Sequence, residues 1–332
     1  MSPASRHRLE GLEPDNLLAF LALLGLLRAL ELSRPEWHPR AYWDVARGPL
    51  RPVLTTRQVT TPAQVAESAA TGLEIAAQSH DFDGRKDLNY SPEESRNLLA
   101  KAAETASLTR RYRADLVAAL MSDAATKDEK NVAVTPTPLC LLFGQGHQHF
   151  LDRLASVPRQ VAPPPRGKGK HAVNLSASEC LAEALFQPWH RNDPTFSFRW
   201  DSAEDVRYAL MAGDPTDSAF KAGTQHGANR LAALGLAEII LVPEIRAGRV
   251  RPSVVGGVST PKGFSIAWPI WQEAATLSAV RALLSHPDLR KEGALLHFGF
   301  DHVMVAERIS VGKFMNFTRG RPLSAWHEAV QS

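Results

Sequence analysis

The most apolar stretch of the chain, LLAFLALLGLL from Leu17 to Leu27, runs for eleven residues before it meets Arg28. Pro14 and Asp15 precede it. A first helical turn tolerates proline, and an acid there favours the positive end of the helix dipole. The pattern predicts a helix to about Leu32, ended ahead of Pro35. It is apolar nearly all round, so it should lie at the centre of its lobe. Trp37, Tyr42 and Trp43 follow closely and are expected to cover it.

Further helices announce themselves by their first turns. TPAQ at 61–64 opens a helix over 61–78, and SPEE at 91–94 opens one expected to run unbroken over 91–121. Leu98, Ala102, Thr105, Leu108, Tyr112, Leu116 and Leu120 share one face of the second at helical spacing. PTPLCLLFG (136–144) reads as a short buried strand or extended segment ending in glycine, and HQHFLDRLASV as a helix after it. PRQVAPPPRGKGKH (158–171) is proline, glycine and basic residues without an acid, which predicts an exposed, mobile loop or linker.

Beyond it the periods mix. Ser176 and Glu179 form a capping box for SASECLAEALF. In FSFRW, Phe196, Phe198 and Trp200 alternate with Ser197 and Arg199, as in a half-buried strand. SAEDVRYALM and HGANRLAALGLAE read as helices and IILVP as a strand. RVRPSVVGGVSTPKGFSIAWPIW reads as a β-hairpin, TLSAVRALLS as a helix and HVMVAERISVGKFMNF as terminal strands. The expectation is an α+β fold. A mainly helical lobe over 1–157 is joined by the loop at 158–171 to a mixed helix and β-hairpin lobe over 172–332.

Composition narrows the functional classes. The chain has 332 residues, 44% apolar and 22% charged, a formal charge of +3 and a pI near 8.9. This is an ordinary globular balance that permits nucleic-acid contact without demanding it. Cys140 and Cys180 form no CxxC pair, which excludes a zinc site of that kind and a disulfide framework. Eleven apolar residues fall short of the roughly 20 that span a membrane. Arg6 and Arg8 would suit a secretion signal, but Glu10, Glu13 and Asp15 intervene and no cleavage site follows. A cytoplasmic protein without a membrane partner, metal or cofactor is expected.

Two stretches tempt a chemist. In FGQGHQHF (143–150), His147 and His149 are too close to share a metal on a helix. The stretch reads better as a turn at a helix start, with Gly144, Gly146 and His147 as an anion-binding turn. In HDFDGRKD (80–87) the glycine falls too early for a calcium loop, and no Glu closes it. His80, Asp81 and Asp83 are nonetheless the basis of one alternative, a metal-dependent phosphohydrolase or nuclease. Basic residues beside aromatics carry the other signal: Arg166, Lys168 and Lys170 on the linker; Arg199, Arg207 and Arg230 further on; Arg246, Arg249 and Arg251 before the hairpin and Lys262 at its tip; Lys313 and Arg319 near Phe314 and Phe317. Such surfaces suit a nucleic-acid backbone with occasional stacking.

The N-terminal GLEPDNLLAFLALLGLLRALE with PEWHPRAYWD, and the later FRWDSAEDVRYALMAGDPT (198–216) and HGANRLAALGL (226–236), resemble CRISPR-associated proteins of the type I-U, or I-G, systems. The resemblance covers about a fifth of the chain. It implies a non-catalytic component, similar to the Cascade large subunit, of an RNA-guided DNA surveillance complex in antiviral defence. Guide RNA, target DNA and other effector subunits would be its partners. On this reading FRWDSAEDVRYAL and HGANRLA meet to expose Arg199, Arg207 and Arg230. A second alternative is a structural assembly protein whose apolar hairpin FSIAWPIW packs on a partner without nucleic acid.

Overall fold

The computed structural model describes residues 4–104, 107–127, 133–143, 149–167, 169–204, 223–246, 248–260, 263–311 and 314–324. The first part of the chain is mainly helical with a small sheet. Strand β1 (Ser5–Arg8) leads to helix α1 (Leu17–Ser33), then β2 (Arg40–Trp43) and β3 (Pro52–Thr56). The three strands form an antiparallel sheet with β3 in the middle. Asn16 caps α1 by accepting from the Leu18 N–H at 3.0 Å, and every residue from Leu17 to Leu30 is buried. Helix α2 (Pro62–Ala77) starts on a reciprocal Thr61–Gln64 capping box, and α3 (Pro92–Ala103) on a Ser91–Glu94 box.

The helix expected over 91–121 is two helices. After α3 the chain turns at Glu104 and resumes as α4 (Leu108–Leu120). An unbroken helix of that length would extend roughly 45 Å. Only Ser95 and Ala102 of α3 are buried, whereas α4 places Tyr112, Leu116 and Leu120 in the core. The break lets the second half follow the core while the first stays at the surface.

The remaining elements are α5 (Phe150–Ser156), α6 (Ala177–Phe186), α7 (His226–Gly235), β4 (Leu241–Arg246), β5 (Arg249–Val254), β6 (Gly257–Thr260), β7 (Gly263–Trp271), α8 (Leu277–Leu284), β8 (Phe300–Val311), β9 (Phe314–Phe317) and β10 (Arg321–Pro322). Strands β10, β8, β7 and β6 lie side by side and β9 folds back on β8, which makes an antiparallel sheet. Among the described residues, strands β4 and β5 pair only with each other. The stretch expected as one hairpin over 249–271 is therefore divided: β5 completes a ribbon with β4, and β6 forms the hairpin with β7. The fold is α+β.

FSFRW, expected as a strand, does not form one, and of the two readings of PTPLCLLFG the strand is not the one taken by its described residues. Residues 136–142 are irregular with Leu139 to Leu142 buried, and FSFRW has no strand partner among the described residues. Non-strand groups satisfy its backbone. The Phe198 N–H donates to the Asn229 side chain at 3.3 Å, and the Trp200 carbonyl accepts from the Leu18 N–H at 3.2 Å. Alternation there records burial without a ladder: Phe198 and Trp200 stack at 4.5 Å in the core, whereas Phe196 is exposed.

The expected division at 158–171 does not separate two cores. One buried apolar cluster runs from Leu9 to Leu323 and draws on both sides of that loop. Its axis is α1, held between α7 and the large sheet. Phe20 stacks on Trp268 of β7 at 5.6 Å. On the other side the backbones of α1 and α7 touch. A Cβ on Gly25 would lie 1.8 Å from the Leu231 carbonyl oxygen, and one on Gly235 1.9 Å from that of Leu21. Only glycine permits this approach. Buried charges tie the same elements together. The Arg28 guanidinium donates to Glu238 at 2.8 Å and to Asp115 at 3.1 Å, and Arg281 of α8 reaches Asp115 at 2.9 Å. No helix among the described residues is long and apolar enough to cross a membrane.

Candidate functional site

The structure sorts the expected basic residues into three groups. The first is consumed inside the fold. Arg230 lies on α7 with no exposure at all, contrary to the expectation of a surface role. Its Nη1 and Nη2 donate to the carbonyls of Val161 and Pro158 at 2.9 and 3.2 Å, and its Nε has no partner. Burial lowers its pKa. Arg166 is held by Asp193 at 2.7 Å, by Glu183 at 2.9 Å and by His190 at 2.8 Å. These contacts pin the 158–171 loop at Pro158, Val161 and Arg166. Pro158 and Pro163 are buried and Lys170 is exposed, so the loop is fastened to the body. Arg319 is paired with Asp15 and, at 3.7 Å, with Glu13.

The second group belongs to the segment that FRWD opens. Arg199 is half-buried, with its backbone in the left-handed region at φ 64°. Asp201 is fully buried, and its partners are Arg191 at 2.7 Å and Asn16 at 2.8 Å. Glu204 accepts from the Ser197 and Thr224 hydroxyls at 2.6 and 3.0 Å. Burial pushes its pKa up to about 7, and the Asp201 charge adds to this against the two hydrogen bonds and Arg199. Arg207 lies outside the described residues, as do Lys168, Lys262, Lys313, Gly144, Gly146 and His147. Of the FGQGHQHF stretch, His149 occupies the N-cap position of α5, with its Nδ1 2.9 Å from Asp87.

The His80 doublet is pulled apart. His80 is fully buried, with its two ring nitrogens 2.8 Å from the Leu154 carbonyl and 2.6 Å from the Tyr112 hydroxyl. Burial lowers its pKa to about 3. Asp81 and Asp83 are on the exposed side of the turn, where Asp81 accepts from the Asp83 N–H at 3.1 Å. The three do not converge. No group of three or more His, Cys, Asp or Glu residues that could hold a metal occurs among the described residues. FSIAWPIW is not a surface hairpin either: from Phe264 to Trp271 every residue of β7 is buried.

The third group stands in solvent, on the ribbon of β4 and β5. Leu241 and Val254 root this ribbon in the core. Six residues per strand carry it roughly 20 Å along its length. The register pairs Ile245 with Val250 and Pro243 with Pro252, so these share one face. The other face carries the pairs Arg246–Arg249 and Glu244–Arg251. Arg249 and Arg251 are exposed, and Ile245 is 80% exposed. Like charges directly opposite each other on paired strands repel. The carboxylate on this face, Glu244, lies 3.5 Å from Arg246. Three guanidiniums thus face one acid, and Arg249 and Arg251 have no ion pair among the described residues. Such a face can hold phosphates or other anions by charge and by paired N–H donors.

A second cluster was not legible as a site in the sequence. Register places Arg6 of β1 and Arg40 of β2 in one row across Thr55 of β3. Arg57 follows β3 at the same end of the sheet, and all three are exposed. Arg6 alone drew notice, as a charge ahead of the apolar run; only strand pairing unites the three.

No protein-family model, curated protein or solved structure matches this chain.

Proposed function

We propose that this chain is a non-catalytic nucleic-acid-binding subunit of a type I CRISPR RNA-guided surveillance complex, acting in the cytoplasm beside other effector subunits. The observation that carries the binding half of this reading is the ribbon of β4 and β5. Its Arg246, Arg249 and Arg251 crowd one face against the single carboxylate of Glu244. A polyanion relieves that repulsion, and phosphodiester oxygens match the guanidinium fork. The other half rests on the resemblance of GLEPDNLLAFLALLGLL, FRWD and HGANRLAALGL to components of such complexes. In this fold those stretches form α1, the turn at 198–201 and α7. They build the frame, and the ribbon offers the contact.

The test is a binding titration of fluorescent guide-like RNA and duplex DNA at several salt concentrations. The triple variant Arg246→Ala/Arg249→Ala/Arg251→Ala should bind at least about tenfold more weakly and lose roughly two to three from the log–log salt slope. Equal affinity and slope for variant and native chain would refute a role for the ribbon. Recovery of the chain from its native cells free of RNA and of other effector subunits would refute the assignment to a surveillance complex.

A further inference from the structure

The row that joins Arg6 to Arg40 differs from its neighbour on the same sheet face. In the next row, Arg8 is neutralised: it donates to Glu10 at 2.8 Å and to Asp44 at 3.1 Å. In the Arg6–Thr55–Arg40 row neither arginine forms an ion pair or a side-chain hydrogen bond among the described residues, and the same holds for Arg57. With strands about 4.8 Å apart, the Arg6 and Arg40 backbones are about 10 Å apart across β3. Arg57 is held at the same end, where its N–H donates to the Trp37 carbonyl at 2.8 Å. The exposed carboxylate of this corner is Glu36, in the turn before β2.

An apolar side chain accompanies these cations. Val59, two residues past Arg57, is 82% exposed. Tyr42 lies in the adjoining row and is half-exposed. A duplex keeps its bases stacked inside and would leave Val59 in water. A single strand offers phosphates to the arginines and unstacked base faces to the apolar groups.

We infer that the corner formed by Arg6, Arg40 and Arg57 is a second, separate seat for a single-stranded nucleic acid. This rests on the nucleic-acid reading above. The contact is to the backbone and does not depend on sequence. It works independently of the ribbon, which belongs to a different sheet.

The experiment compares the native chain, Arg6→Ala/Arg40→Ala/Arg57→Ala and the ribbon triple variant. Each is titrated with a short fluorescent single-stranded RNA, its DNA counterpart, a duplex of the same sequence and a polyglutamate peptide. The corner variant should bind RNA about tenfold more weakly, with a salt slope reduced by roughly two, and should keep its duplex affinity within about twofold. Unchanged RNA affinity overturns the inference. So does an equal loss on RNA and duplex, which marks a general charge effect; the RNA and single-stranded DNA arms separate the two sources of a single strand. Loss of polyglutamate binding with RNA binding intact also overturns it and assigns the corner to an acidic protein. Failure of the corner variant alone, with the ribbon variant still defective, leaves the proposed function standing. A native chain that binds no nucleic acid removes both. Melting temperatures of the three proteins, and the single variants measured one by one, separate lost contacts from lost folding.

Discussion

Arg230 on α7 and Arg249 on the ribbon each have an apolar chain neighbour, yet their surroundings are opposite. Arg230 is sealed in the interior and spends its donors on the carbonyls of Val161 and Pro158. Arg249 stands in solvent opposite a second arginine. The first guanidinium closes a loop onto the body, and the second has nothing in the described fold to close. The contrast teaches that an arginine beside apolar residues carries little functional meaning until its backbone element has been packed. A helix with all its faces covered, as α7 is, turns its arginine into a structural fastener. A ribbon rooted only at Leu241 and Val254 leaves its arginines to a partner.

The largest expected effect breaks the interior side of that contrast. Gly25→Val places atoms where the Leu231 carbonyl already is, so α1 and α7 must separate. Overpacking of this kind should cost roughly 3 kcal/mol or more. Thermal unfolding followed by circular dichroism should show a melting point lower by about 5 °C or more, or no soluble protein. A native melting point would mean that the two helices do not touch.

Crossing the two arginines sharpens the comparison. Arg230→Ala strips two carbonyls of charge-assisted bonds and should destabilise the chain by about 2 kcal/mol, with nucleic-acid affinity unchanged once folded. Arg249→Ala should do the reverse. Its stability should stay within about 0.5 kcal/mol, and its salt slope should fall by roughly one. Paired urea denaturation and binding titrations read both. The same pattern in the two variants would erase the distinction.

The smallest effect lies at Glu204, half-buried between these extremes. Its pKa of about 7 in the fold lies above the ordinary carboxylate value of 4.5. The native state therefore holds a proton that the unfolded chain releases. The stability gained from it is full below about pH 4.5 and is lost as pH rises through 7. Glu204→Gln removes that dependence. The variant should match the native chain near pH 4.5 and melt higher at pH 8. Parallel melting curves across this range would show Glu204 to be ordinary.

Much of the local structure was legible because it is written in short range. The Thr61, Ser91 and Ser176 boxes mark three helix starts where the sequence places them. Arg249 and Arg251 could be placed near a hairpin because strand alternation is local as well. The failures share a cause at longer range. The turn at Glu104 depends on which part of 91–121 meets the core, and FSFRW lacks a strand only because no other strand runs beside it. The burial of Arg230 depends on α1 lying against α7, which the two-lobe expectation had kept apart. Arg6, Arg40 and Arg57 are scattered along the chain and become neighbours only through the pairing of β1, β2 and β3.

The packing of α1 also bears on the order of synthesis. Arg28 can meet Asp115 after 87 positions, but its fully buried partner Glu238 comes 210 positions later, and Gly25 waits for a helix that emerges just before Glu238. At about 5–20 residues per second, a ribosome takes roughly ten to forty seconds to cover that span. Through that interval the apolar run of α1 lacks α7 and Glu238. Folding of this chain is therefore completed late and as a whole, and the nascent segment is a natural client for a chaperone that shields apolar helices.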